Sequence, residues 1–173
     1  NLSRANLSNT FLSKATFRKA NLNQVNLQKS RLSNADLSGI DLRGADLSGA
    51  NLTRANLRGA GLEGAQLHGA NLYEADLTGA DLSRANLEGV NLIRAQLRIA
   101  DLRWSKLSGA ELDGAKLVGA NLTGADLTRA SLNRSDLSRA NLTTADLSGA
   151  DLNRADLSRT ALIRAILVGT DLY

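Results

Sequence analysis

Few side chains in this chain are equipped for chemistry. His68 is the sole histidine among 173 residues, and there is no cysteine. Thiol nucleophiles, disulfides and cysteine-held zinc are therefore excluded. A nucleophilic serine needs a base within hydrogen-bond reach, yet the many serines here recur at a fixed interval with no base nearby in sequence. Aspartates 20 positions apart, Asp81 with Asp101, Asp126 with Asp146 and Asp136 with Asp156, suggest cation sites at first sight. Calcium, however, needs six to eight oxygens converging on one point. Arg134, Arg139, Arg154 and Arg159 offer a simpler balance of charge, and surface ion pairs contribute little. The glycines follow the same fixed interval and form neither a phosphate-cradling loop nor a dinucleotide fingerprint. The expectation is a protein that is not an enzyme and holds no metal or cofactor.

The net charge is +4, unevenly placed. Residues 1–35 carry Arg4, Lys14, Arg18, Lys19, Lys29 and Arg31 with no acid, and the remainder holds 15 bases against 17 acids. A basic end can meet nucleic acid or an anionic surface, but single-strand sites also use stacking aromatics. Only Phe11 and Phe17 lie near, so nucleic acid is not the expected partner. No apolar run reaches membrane length. The chain starts at Asn1 without methionine and already in phase with its repeat, which reads as a processed product or a trimmed piece. Compartment stays open, with the cytoplasm as default.

What must position these residues is a period of five that never slips from Asn1 to Tyr173. Each unit has five slots. The second is Leu at 34 of 35 positions, Phe17 being the exception, and the fifth is Ala at 25 of 34. These two slots face inward. The first slot is Asn or Asp at 23 of 35 positions, the third Ser or Thr at 16 of 35, and the fourth Gly, Arg or Lys at 27 of 34. A helix would step successive leucines around its axis and leave no apolar stripe. A flat strand would send them to alternate faces. The chain must therefore turn once per repeat. Glycine in the fourth slot suits positive φ, and Asn or Asp in the first can bond the local backbone. Two residues with few side-chain shapes, Leu and Ala, then fill the core.

Units such as Ala45-Asp46-Leu47-Ser48-Gly49 and Ala50-Asn51-Leu52-Thr53-Arg54 closely resemble the A(D/N)LXX motif of the pentapeptide-repeat family, and the resemblance covers the whole chain. It implies an all-β fold: a right-handed quadrilateral β-helix, 20 residues per coil in about 8–9 coils, forming one domain over residues 1–173. With backbones ~4.8 Å apart the rod is roughly 40 Å long. Leucines then stack in four columns, one running from Phe17 through Leu37, Leu57 and Leu77. Asn51, Asn71 and Asn91 should form a ladder of stacked amides.

Apolar residues in the exposed third and fourth slots are the informative departures. Tyr73, Ile93, Ile99, Trp104 and Val118 are expected to make one partner-binding patch midway along the rod. On the four-sided fold Tyr73 stacks beneath Ile93, with the other three around the next corner. Ile163, Ile166, Val168 and Tyr173, with Ala161, belong to the final coil, where an end cap or an end-to-end contact with a second copy is expected.

The leading functional reading is a non-catalytic structural or protein-binding scaffold. The family resemblance also implies an alternative, since some members mimic duplex DNA, bind type II topoisomerases such as gyrase and protect them from quinolones. Such mimics are strongly acidic and often dimerise through a C-terminal helix, whereas this chain is basic and shows no helical segment after its repeats. Ice binding would need a flat face of stacked threonines, and Thr53, Thr78, Thr123, Thr128 and Thr143 are scattered.

Overall fold

The computed structural model describes every residue from Asn1 to Tyr173. Parallel bridges join first-slot residues 20 apart, from Asn6↔Asn26 to Asp151↔Asp171. Each coil thus contains four pentapeptides, and repeats whose numbers differ by 20 stack in four columns. Within a repeat, the fifth-slot N–H donates to the second-slot carbonyl, as Ala85 does to Leu82 at 3.1 Å. That bond closes a four-residue turn. Every fourth-slot residue has positive φ, between 51° and 69°, including 20 that are not glycine. A positive third residue is the mark of a type II turn. Outside glycine this conformation costs roughly 1–2 kcal/mol per residue, so coil stacking must offset it.

The repeat Asp81–Ala85 shows where the backbone donors go. Asp81 donates to Ala60 at 3.0 Å on the coil before, while Leu82 and Arg84 donate to Asp101 and Arg103 on the coil after, at 2.7 and 2.9 Å. Ala85 closes the turn. The remaining N–H, on Ser83, donates to the Asp81 carboxylate at 3.0 Å. Asn and Asp dominate the first slot because that side chain accepts the one donor the coils cannot reach. Because the turn occupies the other four slots, only the first-slot residue is bridged, and single bridges replace strands of ordinary length.

The same geometry corrects the expected amide ladder. Asn51, Asn71 and Asn91 are in bridging register, but each turns its Oδ1 to its own third-slot N–H, on Thr53, Tyr73 and Ile93, at 3.0 Å. The amides do not bond to one another.

Leucines and alanines, with Phe17, Val25, Ile40 and Val90, form one cluster of 51 buried residues. From Leu22 to Leu152 every second-slot Leu is buried, and Phe17 keeps its place at the foot of its column. Serines in the fifth slot are also buried. Ser30 and Ser105 each donate a hydroxyl to their turn carbonyl, Leu27 and Leu102, at 2.7 Å. Ser135 has no such partner. In the last described coil Leu167 and Leu172 are exposed. No helix is long and apolar enough to cross a membrane.

Candidate protein-binding surface

Side chains of the first, third and fourth slots make the surface, and each slot has its own reach. A third-slot side chain meets the first slot of the next coil, 18 residues on: Arg18 reaches Asp36 at 3.4 Å and Arg58 reaches Asp76 at 3.0 Å. Gln28 and Asp46 are joined in the same way. Where no acid stands there, a third-slot arginine folds back on the aspartate of its own repeat. Arg43 pairs with Asp41 at 2.8 Å, and Arg103 with Asp101 at 2.6 Å. The hydrogen bonds from Arg43 hold the Asp41 carboxyl down at about 2. Those from Arg103 lower Asp101 likewise.

Fourth-slot side chains lean instead toward the fourth slot of the coil after. A Cβ placed on Gly49 or Gly114 would lie 3.5 Å from Lys29 Cγ or 3.7 Å from Arg94 Cγ, each 20 residues earlier. Glu74 is the one acid in this slot, and both Arg54 and Arg94 reach it, at 2.7 and 3.8 Å. This overturns the expected balance of Arg134, Arg139, Arg154 and Arg159 against the stacked aspartates. All four sit in the fourth slot, where the neighbouring rungs of their columns are Gly114, Gly119 and one another and hold no acid, and none forms an ion pair. The aspartate pairs are in register as expected. Their carboxylates are occupied by third-slot donors, as in Asp136 with Ser138 and Asp146 with Ser148. No three acidic, histidine or cysteine side chains converge as metal ligands would.

Tyr73 and Ile93 occupy the same position on successive coils, both half-buried. Ile99 and Val118 likewise meet one quarter turn further on, where the Ile99 N–H donates to the Val118 carbonyl at 3.0 Å. Trp104 stands another quarter turn on, across the rod from Tyr73 and Ile93. The five residues therefore wrap three sides of the coil and do not share one flat face, since each pentapeptide between them turns the chain once. Ile99 is 69% exposed and Trp104 58% exposed. Both hold positive φ, 51° and 59°. The Trp104 indole rests on Gly124, a contact that the five-residue period alone does not reveal.

At the basic end Phe17 is buried, while Phe11 is exposed with the Arg31 guanidinium 4.7 Å above its ring. The largest surface hollow, about 680 Å³, lies there between Arg18, Lys19, Ser38 and Asp41 and is open to solvent. At the other end Ile163, Ile166, Val168 and Tyr173 are exposed around the last coil.

A continuous stacked coil with its chemistry confined to outward slots defines a β-helical repeat scaffold. The chain belongs to the pentapeptide repeat family: the family's model, described as pentapeptide repeats, matches in 8 copies across residues 1–39, 35–73, 70–109, 105–143 and 140–173. No curated protein matches it in sequence. Among solved structures it is similar to HetL, a pentapeptide repeat protein involved in heterocyst differentiation regulation in the cyanobacterium Nostoc sp. strain PCC 7120. That likeness has 38% identity over 95% of this chain and 86% of HetL, with a TM-score of 0.40. It is also similar to full-length QnrB1, a plasmid-mediated fluoroquinolone resistance protein, with 21% identity over 98% of this chain and 94% of QnrB1 and a TM-score of 0.69. A third similar structure is a thylakoid-lumen pentapeptide repeat protein of Arabidopsis thaliana, with 34% identity over 66% of each chain and a TM-score of 0.37.

Proposed function

We propose that this chain is a non-catalytic scaffold that binds a protein partner through its outward slots, with the whole of residues 1–173 wound right-handed as one domain of 8–9 coils. The observation that carries the reading is Trp104. A tryptophan 58% exposed on a turn where glycine is the unstrained choice gains little from the fold itself. Tryptophan is also the residue most enriched at the energetic centre of protein interfaces. Tyr73, Ile93, Ile99 and Val118 extend the apolar surface on the two preceding quarter turns. Ile163, Ile166, Val168 and Tyr173 form a second contact region at the last coil, suited to a cap or to an end-to-end contact with another copy.

Catalysis is disfavoured by the same geometry, because the sole histidine, His68, is exposed in a third slot and forms no side-chain hydrogen bond. The topoisomerase-mimic alternative asks for an acidic rod, and the net charge of +4 has the wrong sign. The test compares Trp104→Ala with the wild type in thermal melting and in recovery of partners from host extract. Unchanged melting with lost partners supports the scaffold reading. Recovery of the same partners by both proteins removes Trp104 from it. A supercoiling assay with gyrase addresses the alternative: protection from a quinolone would replace the scaffold reading with the mimic.

A further inference from the structure

The third-slot arginines follow a rule that one of them breaks. Arg18 and Arg58 pair with an aspartate 18 residues on, and Arg43 and Arg103 with the aspartate two residues before. For Arg98 the residue two before is Gln96 and the residue 18 on is Lys116. Arg98 therefore faces a like charge where Arg18 and Arg58, in the same column, face a carboxylate. Neither Arg98 nor Lys116 forms an ion pair, and both are exposed. Asp136, the rung after Lys116, turns its Oδ1 to the Ser138 N–H at 3.1 Å and hydroxyl at 2.7 Å.

Beside the two cations on the same corner stand Ile99, which follows Arg98, and Val118, two residues after Lys116. Ile99 is β-branched and held at φ 51°, where such a residue is a genuine outlier. Its Cγ2 would be 3.6 Å from a Cβ on Gly119, so it leans along the column toward Val118's repeat and stays 69% exposed. Two like charges about one rung apart repel, neither has an acid within ion-pair distance, and the attraction between Lys116 and Asp156, two rungs on, reaches Lys116 alone. A carboxylate brought by another molecule would compensate both. An aliphatic group brought with it would cover Ile99 and Val118.

We infer that the corner formed by Arg98, Ile99, Lys116 and Val118 is a docking site for a protein segment that presents an aliphatic side chain flanked by carboxylates. The inference rests on the scaffold reading and gives its partner a chemistry. Opposite charge on one side of the corner steers encounter and sets specificity, and the apolar pair beside it supplies contact area. The basic first coils are less suited to such a segment, because the large exposed apolar group there, Phe11, is an aromatic ring that already holds the Arg31 guanidinium at 4.7 Å.

The test uses three labelled peptides of equal length, alternating Leu with Glu, Leu with Lys, and Ser with Glu, with binding read by fluorescence anisotropy. The Leu–Glu peptide is expected to bind the wild type at least about tenfold more tightly than either other peptide. Arg98→Glu combined with Lys116→Glu should reverse the preference toward Leu–Lys. Ile99→Ser combined with Val118→Ser should bring Leu–Glu down to the level of Ser–Glu. Lys14→Glu combined with Lys19→Glu is the control and should leave the order unchanged. Equal binding of all three peptides overturns the inference, and so does sensitivity to the control pair alone. Tighter binding of anionic vesicles or duplex DNA through Arg98 and Lys116 overturns it in favour of those ligands. Host partners that need Trp104 but survive the Arg98 and Lys116 reversals also overturn it, and they leave the scaffold reading standing. A wild-type protein that recovers no specific partner removes both.

Discussion

The indole of Trp104 covers Gly124, its counterpart one coil later. A methyl group on Gly124 would stand 2.8 Å from Cδ2 of that ring and nearer still to Cε3 and Cζ3, closer than real side chains approach. Glycine at 124 is thus favoured by its φ of +67° and required by the space the ring takes.

Gly124→Ala should therefore displace the indole, whereas Gly109→Ala carries similar backbone strain at φ +64° with nothing within 4 Å. Both variants should lose roughly 1–2 kcal/mol of stability from the positive φ. Only Gly124→Ala should shift the emission of Trp104, the sole tryptophan. Identical emission spectra from the two variants would show that the ring does not rest on Gly124.

The buried serines separate a satisfied hydroxyl from an orphaned one. Ser105→Ala removes a 2.7 Å bond to Leu102 and should cost about 0.5–1.5 kcal/mol. Ser135→Ala removes a buried hydroxyl without a partner and should raise stability by about 1 kcal/mol. Urea melts on both variants read the difference. Equal losses would mean that the Ser135 hydroxyl finds an acceptor in solution.

Gly61 is the only glycine in the first slot, and its φ is not positive. A Cβ there would meet Arg43 Cγ at 3.8 Å and the Ile40 carbonyl at 4.0 Å, which is ordinary contact. Gly61→Asn should supply the missing acceptor for the Glu63 N–H and restrict the unfolded chain, gaining about 0.5–1 kcal/mol. A loss of more than about 1 kcal/mol in urea melts would expose a backbone demand at Gly61 that these contacts do not explain.

Acid should act late on this rod. Arg43 lowers the Asp41 pKa from 3.8 to about 2. Hydrogen bonds from Ser38, Arg103 and Ser158 lower Asp36, Asp101 and Asp156 in the same direction. A depressed carboxylate stabilises the fold above its unfolded pKa, and that contribution is lost as pH falls through the folded value. Melting temperature should hold from neutrality to about pH 4 and fall between about 4 and 2. Arg43→Gln should move the Asp41 titration, followed by NMR, up toward 3.8. An unchanged titration would show that Arg43 does not hold that carboxylate.

The inward Leu and Ala, the turn in every repeat and the preference for Asn or Asp in the first slot were all legible in a period of five. Each follows from contacts within one pentapeptide. The 20-residue rung came only through family resemblance, because a five-residue unit turns the chain without saying how many turns close a coil. Tertiary structure decided whatever depends on the rung. It turned the Asn51, Asn71 and Asn91 oxygens to their own repeats, left Arg134 and Arg154 without acids, seated Trp104 on Gly124 and set Arg98 beside Lys116. Side chains lean in directions set by their slot's backbone angles, so their partners lie either in their own repeat or about one rung away, 18 or 20 residues on. The periodicity of the chain specifies which residues face out, and only the closed coil specifies which of them meet.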